Sequence, residues 1–275
     1  MKDFDLEAFL SNSQALDVSD LAWSTAADYP LTADEVRCLT YMMDIETHTI
    51  VYLRDLLNTR AIQDGEISAF LSGWLYEEAY HGRALERLLR AYGCQVAPQR
   101  AEEIRRVLGW RDRAYTLSTA LLSAASRDFT AVHMTWGAIQ ELSTFTAYGR
   151  MVSRTAHPLL AEILRRIIRQ EAWHFSFYYN QAARRLRTRR AQQLTSLMLK
   201  LFWGPVGSSV RPREEVDFVI TFALGDEAGE RTAQRMDRVI GQLPGLGWFD
   251  LFTRARQSSL TRSQLQPQMH TDAHR

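Results

Sequence analysis

Apolar residues recur along this chain at intervals of three and four, the spacing of helices that bury one stripe, through almost its whole length. The stretch Leu31-Thr32-Ala33-Asp34 offers a capping residue, and a helix is predicted from there to about Asn58. Its buried stripe reads Leu39, Met42, Met43, Ile50, Leu53 and Leu57. A second helix is predicted over about Gly65–Tyr92, closed by Gly93 and buried through Leu71, Trp74, Leu75, Leu85, Leu88 and Leu89. Residues 99–125 read as one or two helices. Two more follow over about 129–154 and 157–188, divided at His157-Pro158, where proline suits a first helical turn. Weaker patterns mark 190–203 and 212–242, and the last 20 residues read as a frayed tail. No strand pattern, linker or repeat stands out. The expectation is an all-α protein, a four-helix bundle with flanking helices. Residues 1–30 would be an irregular segment packed on it, 31–245 the bundle domain, and 246–275 a partly disordered tail.

Each of the four main stripes is interrupted by a carboxylate where an apolar residue belongs. On the first it is Glu46, between Met42/Met43 and Ile50; on the second, Glu78 and His81; on the third, Glu141, between Ala138 and Phe145; on the fourth, Glu171 and His174, after Ile167 and before Tyr178. Burying an ionised carboxylate is costly unless it is paired or binds a metal, and no Lys or Arg sits in these stripes. Two divalent cations resolve the conflict, because four carboxylates carry the charge that two such ions cancel. Residues three apart lie on one helix face, so each Glu-x-x-His presents an oxygen and a nitrogen donor side by side. Two such pairs with one Glu from each of two other helices form the ligand set of ferritin-like di-iron carboxylate bundles. Oxygen and imidazole donors suit iron or manganese.

Composition narrows the setting. The 275 residues are 46% apolar and 24% charged, which excludes general disorder. Cys38 and Cys94 are too few for a disulfide framework and read as small packing residues. The acidic N-terminus lacks the features of a signal peptide, and no apolar run reaches the length of a membrane span, so a cytoplasmic protein is expected. The net charge of +1 conceals an asymmetry. Residues 1–80 carry 4 basic and 15 acidic side chains, and 29 basic and 17 acidic ones follow. The densest basic run, Arg184, Arg185, Arg187, Arg189 and Arg190, reads either as a solvated face or as a docking patch for an acidic partner. No nucleic-acid-binding motif, phosphate loop, nucleophile elbow or dinucleotide fingerprint is present. His48, His133 and His157 read as structural histidines.

The segments around the carboxylates resemble those of the soluble acyl-acyl-carrier-protein desaturases. Trp74-Leu-Tyr-Glu-Glu-Ala-Tyr-His-Gly82 is similar to their W-x-x-E-E-x-x-H-G segment, and Gln140-Glu-Leu-Ser-Thr-Phe145, with Gly149 beyond it, to their Q-E-x-x-T-F segment. Gln170-Glu-Ala-Trp-His174 matches the second Glu-x-x-His, and Trp23-Ser-Thr-Ala-Ala-Asp-Tyr-Pro30 looks like an upstream tryptophan-to-proline stretch. The likeness spans roughly residues 20–190. It implies iron ligands at Glu46, Glu78, His81, Glu141, Glu171 and His174, with Glu78 and Glu171 bridging, and a catalytic role for the Thr144 hydroxyl in handling O₂ and its protons; the alternative for Thr144 is a hydroxyl bonded back to its own helix. It places Trp23 on the electron-entry route, whereas Trp74 reads as packing behind the site. It further implies two iron ions (or a manganese–iron pair), an acyl carrier protein and a ferredoxin-type electron donor as partners, and a homodimer.

Leu85 stands four residues after His81, where a radical-forming ribonucleotide reductase small subunit would have Tyr. Other departures concern the desaturases themselves. Gln170 stands where the family has Asp, Ala172, Trp173 and Phe175 replace charged residues, and His133 replaces a small residue lining the acyl channel. The leading expectation is an O₂-dependent di-iron oxidase that desaturates a carrier-bound acyl chain. A di-iron oxygenase on the same scaffold is the first alternative, which the departures favour, and a non-catalytic iron-binding protein the second.

Overall fold

The computed structural model describes residues 3–106 and 109–265. Local chemistry sets where each helix begins. Asp5 caps α1 (Leu6–Asn12), so the N-terminal segment is not wholly irregular. Thr32 and Glu35 cap each other's backbone at the start of α2 (Ala33–Leu57), a reciprocal box worth about 1 kcal/mol. Asp64 accepts from the N–H groups of Glu66 and Ile67 at the start of α3 (Gly65–Ala91). The 99–125 stretch divides into α4 (Arg100–Arg106) and α5 (Trp110–Ala125), and α6 (Phe129–Val152) follows. His157 caps α7 (Pro158–Arg185): its Nδ1 accepts from Leu160 N–H at 3.2 Å, so Nε2 carries the hydrogen and donates to Ala26 O at 2.9 Å. That settles His157 as structural. Then come α8 (Arg189–Phe202), α9 (Arg213–Leu224), α10 (Glu227–Gly241) and α11 (Leu251–Leu265). No strand occurs among the described residues.

The pattern over 212–242, read as one helix, is two. Gly225 ends α9 and Asp226 caps α10 by accepting from Gly229 N–H. The tail expectation also needs correction. Within 246–275, residues 251–265 form a packed helix, with Phe252 buried and Ser259 and Arg262 both bound to Asp217 of α9. Residues 266–275 lie outside the described residues. On α2, Ile50 and Leu57 are exposed (42% and 49%), against expectation. The buried series is Leu39, Glu46, Leu53 and Met42, Leu56. Met43 is buried as well, so the inner stripe narrows toward the C-terminal half of α2, where Glu46, Leu53 and Leu56 face inward and Ile50 and Leu57 do not.

Helix α2 pairs with α3 and α6 with α7, two hairpins that close into an all-α bundle. Its core is in two parts. One cluster joins Leu53 and Leu56 of α2, Ile67–Trp74 of α3, Met134 and Ala138 of α6, and Phe177 and Tyr178 of α7. The other joins Leu39–Met43, Leu85–Leu89, Tyr148, Met151 and Leu160–Ile167 of the same four helices. Between the two lies the layer of glutamates and histidines. Helices α9, α10 and α11 pack together beside α6. No helix is long and apolar enough to cross a membrane.

Candidate metal centre

All six residues singled out by their place in the stripes meet in the middle of the bundle, and all are buried. They form two overlapping groups of potential ligands: Glu46, Glu78, His81 and Glu171 in one, and Glu78, Glu141, Glu171 and His174 in the other. Within each group the donor atoms lie within 4.8 Å of one another. His81 Nδ1 faces Glu171 Oε1 at 3.2 Å and Glu46 Oε2 at 3.8 Å. His174 Nδ1 faces Glu78 Oε1 at 3.1 Å, Glu171 Oε2 at 3.5 Å and Glu141 Oε2 at 3.9 Å. Glu171 therefore sits between the histidines, one oxygen toward each.

The donor set fits divalent cations. Both inward nitrogens, His81 Nδ1 and His174 Nδ1, and both Glu171 oxygens are buried without a hydrogen bond. Orphaned polar atoms of this kind are rare in a folded core and need a partner. A pair of cations held by Glu and His supplies one to each. Among the described residues the four glutamates have no Arg or Lys partner, and only the two histidines pair with them.

Electrostatics follow from this crowding. Burial pushes the Glu78 carboxyl well above its ordinary range, and the charges of Glu46 and Glu171 push it further. Burial does the same to Glu141, reinforced by Glu171 and Glu78. Burial alone would lower both histidines, but the Glu171 and Glu46 carboxylates hold His81 well above the usual value. Glu171, Glu77 and Glu78 do so for His174. Against its own burial, Glu171 is held low by the two histidines it faces. The metal-free chain thus favours the protonated forms of Glu78, Glu141, His81 and His174 and the carboxylate form of Glu171.

The outer carboxylates are positioned in parallel ways. Glu46 Oε1 accepts a short hydrogen bond from the Tyr148 hydroxyl, and Glu141 Oε1 accepts from the Trp74 indole N–H at 3.1 Å. Each is left with Oε2 turned inward. Burial first, then the neighbouring Glu46 and Glu171 charges, raises the Tyr148 phenol far above its usual value, so it stays protonated as a donor. Trp74 thus does more than pack behind the site. Tyr148 is a residue that sequence reasoning missed, although it lies two turns after Glu141 on the same helix face. The outer nitrogens of the histidines are engaged too: His174 Nε2 with Glu77 at 2.8 Å, His81 Nε2 with Gln170 at 2.9 Å.

Other candidates fall outside this constellation. Trp23 donates its indole N–H to Val18 O and lies under the Arg87 guanidinium. His133 packs edge-on against Phe129 and lines neither of the two cavities that reach the carboxylates. Leu85 is buried in the apolar half beyond the site. Of the five clustered arginines, Arg184 pairs with Glu66, Arg185 with Asp64 and Arg190 with Asp128, leaving Arg187 and Arg189 on the exposed surface.

Two cavities converge on the carboxylates. One, of about 100 Å³, is almost wholly apolar and runs from Glu46, Thr144 and Tyr148 to Val216, Leu224 and Phe252 of the flanking helices. A larger one, of about 750 Å³, reaches Glu46, Glu78, Glu141 and Glu171 past Tyr52, Asp55 and Gln140. Thr144 lines both, whereas its neighbour Ser143 returns its hydroxyl to Ile139 O at 2.7 Å. No protein family, curated protein or solved structure matches the chain.

Proposed function

We propose that the chain is an O₂-dependent di-iron oxidase that desaturates an acyl chain carried by an acyl carrier protein. The observation that carries this reading is the pair of overlapping Glu/His groups, buried and, among the described residues, without an Arg or Lys partner, at the end of an apolar cavity. The resemblance of the segments around Glu78, Glu141 and Glu171 to the soluble desaturases supplies the substrate class. Glu46, Glu78, His81, Glu141, Glu171 and His174 would hold two irons, which supply O₂ activation when bound. The overall reaction takes one O₂, two external electrons and two protons. It removes two hydrogens from adjacent carbons and yields the alkene and two waters. A ferredoxin-type protein would deliver the electrons.

The remaining work belongs to the protein. The apolar wall from Ile45 to Phe252 would hold a saturated chain and exclude water from the carboxylate end. Thr144, facing that space, would present a hydroxyl for proton handling. Exposed Arg187 and Arg189 would receive the acidic carrier.

A second reading, oxygen insertion into a more polar substrate, is favoured by the larger cavity. Tyr52, Asp55 and Gln140 line it and it reaches the same carboxylates. Anaerobic loading with Fe(II), metal analysis and a visible spectrum after adding O₂ test the common core of both readings. About two irons per chain and the absorption of an oxidised iron pair support it, and less than one iron in a folded chain overturns it. Intact mass of the product then separates the two: a loss of about two mass units is desaturation, a gain of about sixteen is oxygen insertion.

A further inference from the structure

The inner faces of the two histidines are alike, but their outer faces are not. Gln170 Nε2 donates to the Gln14 backbone carbonyl at 2.9 Å, which fixes the side-chain amide so that its oxygen meets His81 Nε2. An amide oxygen only accepts, so His81 Nε2 carries a hydrogen and Nδ1 is the nitrogen turned into the cluster. On the other side Glu77 accepts from Gln14 N–H with Oε1 at 3.3 Å and from His174 Nε2 with Oε2 at 2.8 Å. One residue of the N-terminal segment thus orients both outer partners through its own backbone. The two partners differ by a full charge: a carboxylate behind His174, a neutral amide behind His81.

Glu77 is buried, and among the described residues its ion-pair partner is His174 alone. The nearby Arg166 is engaged by Asp20 and Glu162. The Glu77 charge is therefore balanced through His174 and whatever that histidine binds. An imidazole whose outer N–H donates to a carboxylate is a stronger electron donor than one donating to an amide, and loss of such a partner typically weakens metal binding 10–100-fold.

We infer that the two metal positions are inequivalent. Glu77 makes the position at Glu78, Glu141, Glu171 and His174 the tighter one, filled first by a divalent cation. Gln170 leaves the position at Glu46, Glu78, His81 and Glu171 the weaker, filled second. Glu77 and Gln170 are positioning residues, and the inference rests on the metal centre proposed above.

The test uses Mn(II) alone, added to the full metal-free chain. Calorimetric titration shows two binding steps, and crystals grown with one equivalent concentrate the anomalous signal of manganese beside His174. The E77Q variant weakens the tight step by about 10-fold or more and spreads one equivalent over both positions. The Q170E variant strengthens the second step and draws manganese toward His81. Equal occupancy in the wild type at one equivalent overturns the inference, as does a folded E77Q chain that binds like the wild type. Where E77Q fails to fold by circular dichroism, an unchanged second step in Q170E overturns it. Manganese at neither position overturns the metal centre itself, a different outcome from manganese shared evenly.

Discussion

Glu171 is fully buried, bears no hydrogen bond, and turns one oxygen to each histidine. Its replacement by Ala removes a donor from both positions, so E171A is expected to hold less than one metal per chain. The E141A variant, which strips a donor from one position only, keeps about one; metal analysis of anaerobically loaded, folded protein separates them. Tyr148 is the donor to Glu46, and a hydrogen bond to a charged group is worth about 1.5–3 kcal/mol. The Y148F variant should lose a comparable amount of stability in the metal-free chain, read by denaturant titration, with the wild-type helical spectrum retained. At His133 burial lowers the imidazole to about 4. In the unfolded chain it titrates near 6.5, so the unfolded state binds the extra proton first as pH falls. Its contribution is fully present above about 6.5 and is lost down to about 4, roughly 3 kcal/mol in all. A neutral H133N variant should show a correspondingly flatter stability profile across that window.

At the scale of elements, α6 and α7 approach closely because Gly137 lies under the Tyr178 ring, where any Cβ would collide with the aromatic carbons. The G137A variant is expected to cost about 1–3 kcal/mol and lower the melting temperature. Helix α11 has a comparable structural duty. Phe252 and Ala255 wall the apolar cavity, and Ser259 and Arg262 bind the buried Asp217. A chain ended after Asp250 loses these bonds together with the packing of Phe252, and is expected to melt at a lower temperature. It also opens the cavity, which increased binding of a hydrophobic dye would report. The helix was not legible from sequence. Its polar residues outnumber its apolar ones, and what holds it is the packing of Leu251 and Phe252 at one end and the Asp217 contacts at the other rather than a continuous stripe. The four long helices were legible because each carries its own stripe and cap, as with Thr32 and Asp64.

Across the whole molecule, the two apolar halves of the bundle are joined through a layer in which two carboxyls and both imidazoles favour their protonated forms in the metal-free chain. Glu78, Glu141, His81 and His174 are all raised in the folded chain. A raised folded-state value contributes stability that is present at low pH and lost as pH rises. The metal-free protein should therefore melt at a lower temperature at about pH 8 than at about pH 6. Metal displaces those protons, so the gain in melting temperature on adding Mn(II) should be larger at the higher pH, and chelation should reverse it. Calorimetric scans at both pH values check the sign.

The amino-acid sequence by itself determined the helical stripes and the six buried donors. Periodicity is a local property, and a charged residue inside an apolar stripe conflicts with burial wherever the helix packs. The tertiary structure alone decided what stands behind those donors. Tyr148 and Trp74 read as apolar packing residues until their polar atoms meet Glu46 and Glu141 across helices. Glu77 and Glu78 are adjacent and chemically identical. Only the rotation of α3 sends Glu78 into the site and Glu77 to the far nitrogen of His174, because side chains one residue apart leave a helix about 100° apart. Which glutamate faces the cluster and which one backs His174 is a fact of packing.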